Sequence, residues 1–419
     1  MKIPCLFISP KFPKTDQDII ANFQKKCWTS FYKKGFYLQD KEYWKYSNFN
    51  QLLSNSTPYA DIFNKKQKKL NFYNKKKQNR IKKNHLYFFN GEFDHLQSNV
   101  SNGIKIQGFN EWKKQNPYKT ISLLSNVDHK IYPMAEANAS MINDGIVLTV
   151  LKDKWIREPL YILYIWEESK YAQNYRHYII LEENTKLVLI EKNENLKKNK
   201  NLYLNTVMHI ILNKYSRLEH IQEYYNIKDI IWLNHLDVSQ KSQSEYYYFS
   251  IVKKNFFSRS DIKINLEGEH AKCWVNGIYD INNKMYYNIY ININHICNST
   301  YSNIFLKGIL RKNANFVFYG KSVALKNTKN IQIFQKNENF VMDNQVCAYS
   351  HPALEIYTDN IQCKHAVTFG KLDINAIFYL RNKGINKKEA ISLLEKAFLY
   401  KEISYLSKYL RLIILRIMH

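Results

Sequence analysis

The segment from His351 to Phe398 reads HPALEIYTDNIQCKHAVTFGKLDINAIFYLRNKGINKKEAISLLEKAF. It sets an extended stretch, a closely spaced cysteine and histidine, and two capped helices in one continuous order. Cys363 and His365 stand two apart, so on a β-strand both side chains project from one face and could share one iron atom or one partner surface. After Gly370 the period becomes helical. Asp373 is placed to cap a helix over Ile374 to Lys383, Gly384 stands where a C′ residue belongs, and Asn386 with Glu389 three residues on starts a second helix in the manner of a capping box. On that second helix Ala390, Leu394, Ala397 and Phe398 share a face.

Upstream, from about Gly103 to Thr368, short runs rich in Tyr, Ile, Val and Phe alternate with a period of two, which is the strand signature rather than the helical one. The run Asp261-Ile262-Lys263-Ile264-Asn265-Leu266-Glu267 alternates throughout, and Ile289, Ile291 and Ile293 do the same, as do Ile331 and Ile333. Many short strands in regular succession suit a sandwich, a propeller or a β-helix, and the pattern alone leaves all three open. No repeat is regular enough to give a period. Only 11 glycines in 419 residues argue against a barrel of tight hairpins. Asp144-Gly145 and Glu267-Gly268 read as turns.

The first third reads as mixed. A helix is predicted from about Asp16, capped by Thr15 or Asp16, with Ile19, Ile20, Phe23, Cys27, Trp28 and Phe31 along one apolar face and Gly35 at its C′ position. Between Lys65 and Lys83 the run KKQKKLNFYNKKKQNRIKK carries too few apolar residues to pack deeply, so it reads as a solvated linker or helix surface next to a domain boundary.

Composition fits a globular chain with a sizeable core: 45% hydrophobic and 23% charged. The 62 Lys and Arg against 36 Asp and Glu give a formal charge of +26, which taken alone points to nucleic acid or an anionic surface. Lys, Asn, Ile and Tyr are over-used together while Gly and Pro are scarce, a bias that an AT-rich coding sequence produces whatever the function, and no nucleic-acid module accompanies the charge. The six cysteines (Cys5, Cys27, Cys273, Cys297, Cys347 and Cys363) form no CxxC pair, which fits neither a zinc finger nor a disulfide framework and suits a reducing cytosol. Ile3 to Ile8 is too short for a secretory signal. Leu410 to Met418, interrupted by Arg411 and Arg416, is too short for a membrane span. No nucleophile elbow, phosphate-binding loop or paired-carboxylate signature is present.

Pro352, Leu354, Glu355, Ile356 and Tyr357, then Cys363 and His365, then Asp373, Phe378 to Arg381, Gly384 and Ile385 closely resemble the signature of the SufB/SufD family, the scaffold proteins of the Suf iron-sulfur cluster assembly system. Phrases typical of the family also occur at Asn143 to Ile146, Arg259 to Ile262, Leu266 to Glu269, Asn276 to Tyr279 and Lys307 to Leu310. Ala366 after the histidine, with Gly370-Lys371-Leu372-Asp373 beyond it, resembles the SufD branch. One departure is Tyr349-Ser350-His351, where the family has Asp-Thr followed by Arg or Lys.

The resemblance implies a mainly β chain. A right-handed parallel β-helix core at 103–371 would be flanked by an N-terminal mixed or helical region at 1–102 and a C-terminal helical domain at 372–419. It further implies that His365 and Cys363 bind metal in a transient iron-sulfur cluster at an interface with a SufB-like paralogue. Ile374, Phe378, Leu394, Ala397 and Phe398 would dock a SufC ABC-type ATPase, which supplies the ATP site that this chain lacks. The chain would be a cytoplasmic scaffold rather than an enzyme, with no nucleic acid or membrane partner, and a homodimer of the isolated chain stays open. For His365 the plain alternative is a hydrogen-bonded structural histidine, for Cys363 a small buried hydrophobe, and His295 with Cys297 reads as a structural pair. Two competitors remain: a β-helix enzyme acting on polysaccharide, which would need acidic residues aligned in one groove, and a basic RNA-binding protein.

Overall fold

The computed structural model describes residues 18–34, 83–125, 132–166, 172–195, 202–225, 230–253, 257–283, 285–400 and 411–412. Helix α1 (Ile19–Lys34) is capped by Asp18, whose Oδ1 accepts the amides of Ile20 and Ala21. The sequence placed the cap at Thr15 or Asp16. Both lie outside the described residues, as do Gly35 and most of the Lys65 to Lys83 run. Next come β1 (His85–Phe89), β2 (Glu92–Phe93), β3 (Ile104–Gly108), α2 (Phe109–Gln115), α3 (Pro117–Ser125) and α4 (Pro133–Ser140).

From there to Gly370 the regular elements among the described residues are all strands. They are β4 (Asp144–Val150), β5 (Leu160–Trp166), β6 (Gln173–Leu181), β7 (Lys186–Asn195), β8 (Leu202–Leu212), β9 (Arg217–Tyr225), β10 (Ile230–Gln240), β11 (Glu245–Lys253), β12 (Phe257–Leu266), β13 (Lys272–Ile281), β14 (Tyr286–His295), β15 (Tyr301–Leu310), β16 (Asn315–Ala324), β17 (Ile331–Val341), β18 (Cys347–Ile356) and β19 (Ile361–Gly370). Odd strands stack in one sheet, β19-β17-β15-β13-β11-β9-β7-β5-β1-β2, and even strands, with β3, in the other. Each strand from β4 onward pairs in parallel with the strand one coil later. Phe257 pairs with Tyr286 and Tyr286 with Asn315, an advance of 29 residues each time, whereas Asn315 pairs with Cys347, an advance of 32. The result is a parallel β-solenoid of about seven turns. Its uneven coil length is why the sequence shows no measurable period.

Few glycines are needed because the corners use other residues. Asp153, Asn184, Tyr215, Gln243, His270 and Ser299 occupy equivalent corners with φ between 55° and 62°. The amide of each donates to a carbonyl of the following coil, as in Asn184 N to Lys214 O at 3.0 Å and Gln243 N to Glu269 O at 2.9 Å. Glu267-Gly268 is a turn, as expected. Asp144-Gly145 is not: it opens β4, where a Cβ on Gly145 would lie 1.7 Å from the Arg176 carbonyl oxygen. There the Asp144 carboxylate accepts the amides of Phe93 and Asn110.

Between the sheets, Leu, Ile, Tyr and Trp side chains from nearly every coil fill one continuous core. The alternation read at Asp261 to Glu267 is this core's doing, with Ile262, Ile264 and Leu266 fully buried inside it. A second apolar layer lies on the outer face of the even sheet. There Trp28 and Phe31 of α1 and Tyr132, Met134, Ala135 and Ala137 pack against Val207, Leu233, Tyr290 and Val317. Asn138 pins α4 to the sheet by donating to the carbonyls of Tyr175 and Asn205, both at 3.0 Å.

Beyond β19 come α5 (Ile374–Asn382) and α6 (Lys387–Tyr400). Both caps are as predicted: Asp373 accepts the Asn375 amide at 2.8 Å, Asn386 accepts that of Glu389 at 2.9 Å, and Gly384 has φ +88°. Helix α6 lies against the odd sheet. Phe398 stacks on Phe340 with centroids 3.8 Å apart, and Glu395 pairs with Arg311.

Candidate functional site

The solenoid ends on two strand edges. Strand β19 closes the odd sheet and β18 the even one, and neither has a further neighbour among the described residues. Such edges leave a row of amides and carbonyls unpaired, a template for another strand. Earlier coils bury their inward face, but the last coil is half open on both sides, and its large side chains Tyr349, Ile356, Tyr357 and Phe369 are exposed.

Cys363 and His365 sit on this terminal rung. Their neighbours in register on β17 are Ile333 and Gln335, both buried, so the pair projects from the core side of β19. Cys363 is half buried and packs beside Ala324, Ile331 and Ile333, whereas His365 is exposed. Both border a groove of about 990 Å³ whose other walls include Trp274, Phe305, Phe334, Lys336 and Leu399. Thiolate and imidazole are competent iron ligands, and the shared face expected from their spacing is present. Among the described residues no group of three or more His, Cys, Asp or Glu is arranged to hold a metal ion. This rung brings together two side chains of the kinds that ligate iron.

Gln335 was missed by sequence reading. Its Nε2 donates to Ser322 Oγ at 2.8 Å, but its Oε1 is buried with no hydrogen-bond partner, one rung beneath His365. An acceptor there suits a ligating imidazole, whose second N–H needs an orienting partner. In the sequence it is one glutamine in a strand with nothing to mark it.

The second spaced pair takes no part. His295 is fully buried, with Nδ1 2.8 Å from Thr300 Oγ1 and Nε2 2.8 Å from Ser302 Oγ, and burial pushes its imidazole down to about 3. Cys297 donates its thiol to the Glu267 carbonyl at 3.0 Å. The core also holds a polar cluster that the sequence did not announce. Glu191 Oε1 lies 2.6 Å from His220 Nε2 and accepts from Gln222 at 2.7 Å, while its Oε2 accepts from Tyr164 at 2.9 Å. Burial alone would raise the Glu191 carboxyl, but the His220 hydrogen bond and charge, with His177 and Gln222, hold it below its ordinary value.

The residues expected to dock a partner divide. On α5, Ile374 and Phe378 are 78% and 63% exposed. On α6, Ala397 is exposed and Leu394 half buried, while Phe398 is spent on Phe340 and on Lys307, whose Nζ lies 4.4 Å from its ring centroid.

Residues 164–398 match the family model of the SUF system FeS cluster assembly, SufBD core domain. The chain is 22% identical over 327 residues to an iron-sulfur cluster assembly SufBD family protein of Synechocystis sp., covering 75% of this chain and 72% of that protein. It is 24% identical over 248 residues to the iron-sulfur cluster assembly protein SufD of Escherichia coli, covering 58% of each. It is 19% identical over 277 residues to SufD of Bacillus subtilis, covering 65% of this chain and 62% of that one. The family match takes in the coils from β5 to the open end, the Cys363 and His365 rung and both C-terminal helices: the chain belongs to the SufB/SufD family of iron-sulfur cluster assembly proteins.

Proposed function

We propose that this chain is a SufD-like scaffold subunit that joins a SufB-like paralogue at the open end of the solenoid, with the nascent iron-sulfur cluster held between them as cargo. The observation that carries this reading is the terminal rung: an exposed imidazole beside a half-buried thiol, on an unpaired strand edge, with too few donors to complete a cluster alone. Sulfur and nitrogen ligands shared across an interface can bind a cluster and still release it when the interface opens. Ala366 and the Gly370-Lys371-Leu372-Asp373 run favour the SufD branch, as do the relatives that carry that name.

On this reading the chain performs no catalysis itself, and a SufC-type ATPase docks on the exposed Ile374 and Phe378 of α5. Tertiary hydrophobic anchors of that kind carry most of the energy of an interface. A reducing cytosol suits the cysteines, since Cys273, Cys297, Cys347 and Cys363 form no disulfide. No described helix is long and apolar enough to cross a membrane.

The test is anaerobic reconstitution of the complex with iron, a sulfide donor and ATP, followed by the visible charge-transfer absorption of the cluster. His365→Ala should leave folding and complex formation intact and abolish assembly, because it removes an iron ligand and little else. Cys363→Ser should be comparably severe if the thiol ligates and mild if it only packs. Unchanged assembly by the His365→Ala complex would remove the cluster from this rung.

A further inference from the structure

On several coils of this solenoid a lysine is answered by a carboxylate on the neighbouring rung. Lys192 pairs with Glu223 at 2.8 Å, Lys241 with Glu267 at 2.8 Å, Lys307 with Glu338 at 3.0 Å and Lys321 with Glu355 at 2.6 Å. Lys364 on β19 and His351 on β18 are exposed, and no carboxylate among the described residues lies within ion-pair distance of either.

Both side chains terminate ring ladders on the outer faces. On the odd sheet Arg217 lies 4.4 Å over Tyr247, which stacks on Trp274 at 4.2 Å, followed by Tyr301 at 5.3 Å and Phe334 at 5.8 Å. Phe334 then pairs in register with Lys364. On the even sheet Arg259 lies 3.9 Å over Tyr290, followed by Tyr319 at 6.0 Å and His351 at 5.2 Å. Stacking on Tyr319 holds His351 at the rim, and strand register places Lys364 on the rung beside Phe334. The acids nearby are engaged or off the strand: Glu355 is tied to Lys321, Asp373 caps α5, and Asp359 stands at the corner before β19.

We infer that the open end selects a partner solenoid whose facing edge carries carboxylates, with Lys364 and His351 as the side chains that read them. The inference rests on the edge-to-edge docking proposed above and adds what the partner must present. A strand continuing either sheet occupies the place of the next coil and supplies the acid that coil would have supplied. A second copy of this chain would instead set Lys364 and His351, the latter charged when protonated, against an edge of the same sign. Complementary charge at an interface chooses between partners, and like charges disfavour the wrong one.

The experiment uses the double variant Lys364→Glu/His351→Glu, both positions being exposed and outside the core. With the SufB-like paralogue at about 50 mM salt, where the screening length is about 14 Å, the variant should bind about tenfold more weakly than the wild type, and the difference should vanish near 1 M salt. In a second arm the variant serves as an acidic-edged probe, and its mixture with the wild-type chain should associate more tightly than either chain with itself. A complex with the paralogue that is indifferent to the charge reversal overturns the inference and leaves the proposed function standing. A wild-type chain that forms no complex with the paralogue removes both. Equal association of all three pairs in the second arm also counts against charge selection; if none of them associates, the first arm decides alone.

Discussion

Gln335 and His295 show how one buried contact sets what a side chain does. Gln335 keeps an unpaired Oε1 beneath His365, an arrangement with a use only if the imidazole above it is held in one orientation. Gln335→Leu should therefore shift the unfolding midpoint by no more than a few degrees, since an amide that is half satisfied adds little net stability. It should weaken iron binding at the rung by about tenfold, the usual effect of removing a ligand's orienting partner. Equal iron affinity by titration would reduce Gln335 to packing. His295, held neutral by burial at about 3 against 6.5 in the unfolded chain, contributes stability that is present above pH 6.5 and is lost as pH falls toward 3, because only the unfolded chain takes up the proton in that window. Between pH 7 and 5 the wild type should lose about 2 kcal/mol more than His295→Asn does. Thermal unfolding of both proteins at the two pH values checks the sign as well as the size.

The two C-terminal helices are packed differently. Helix α6 is fastened to the odd sheet by the Phe398 stack on Phe340 and the Glu395 pair with Arg311, whereas α5 leaves Ile374 and Phe378 to solvent. Phe398→Ala should cost about 3 kcal/mol by emptying a packed contact. Ile374→Ser/Phe378→Ser should change stability by less than about 0.5 kcal/mol per site, as exposed positions do, and yet lose most of the affinity for the ATPase. Calorimetry and a binding isotherm separate the two effects; full ATPase binding by the α5 variant would move the docking surface elsewhere. Periodicity located both faces, but it could not assign them, since an apolar stripe looks the same whether its cover is the same chain or another.

For the whole molecule, the charge of +26 is only partly offset by cross-coil pairs such as Lys192 with Glu223 and Lys241 with Glu267, and the stacked rings of the odd sheet are flanked by acids such as Glu245 and Glu338 as well as by bases. Retention on polyuridylate should accordingly be non-specific and disappear by about 0.2 M salt, because only counterion release supports it; binding that persists well above that would revive an RNA-binding role. The amino-acid sequence by itself determined the strands of the core, both C-terminal caps and the pairing of Cys363 with His365, since alternation, capping and a two-residue spacing act over a few neighbours. It also carried the family signature, which chose a β-helix where pattern left three architectures open. Coil registration came only with the tertiary structure. Corners built on Asn, Gln and His rather than Gly, and coils that advance by 29 residues in one place and 32 in another, leave no period to read. Registration decides which residue lies above which, and so it alone set Gln335 beneath His365, tied Glu191 to His220, and left Lys364 and His351 on the last described rung.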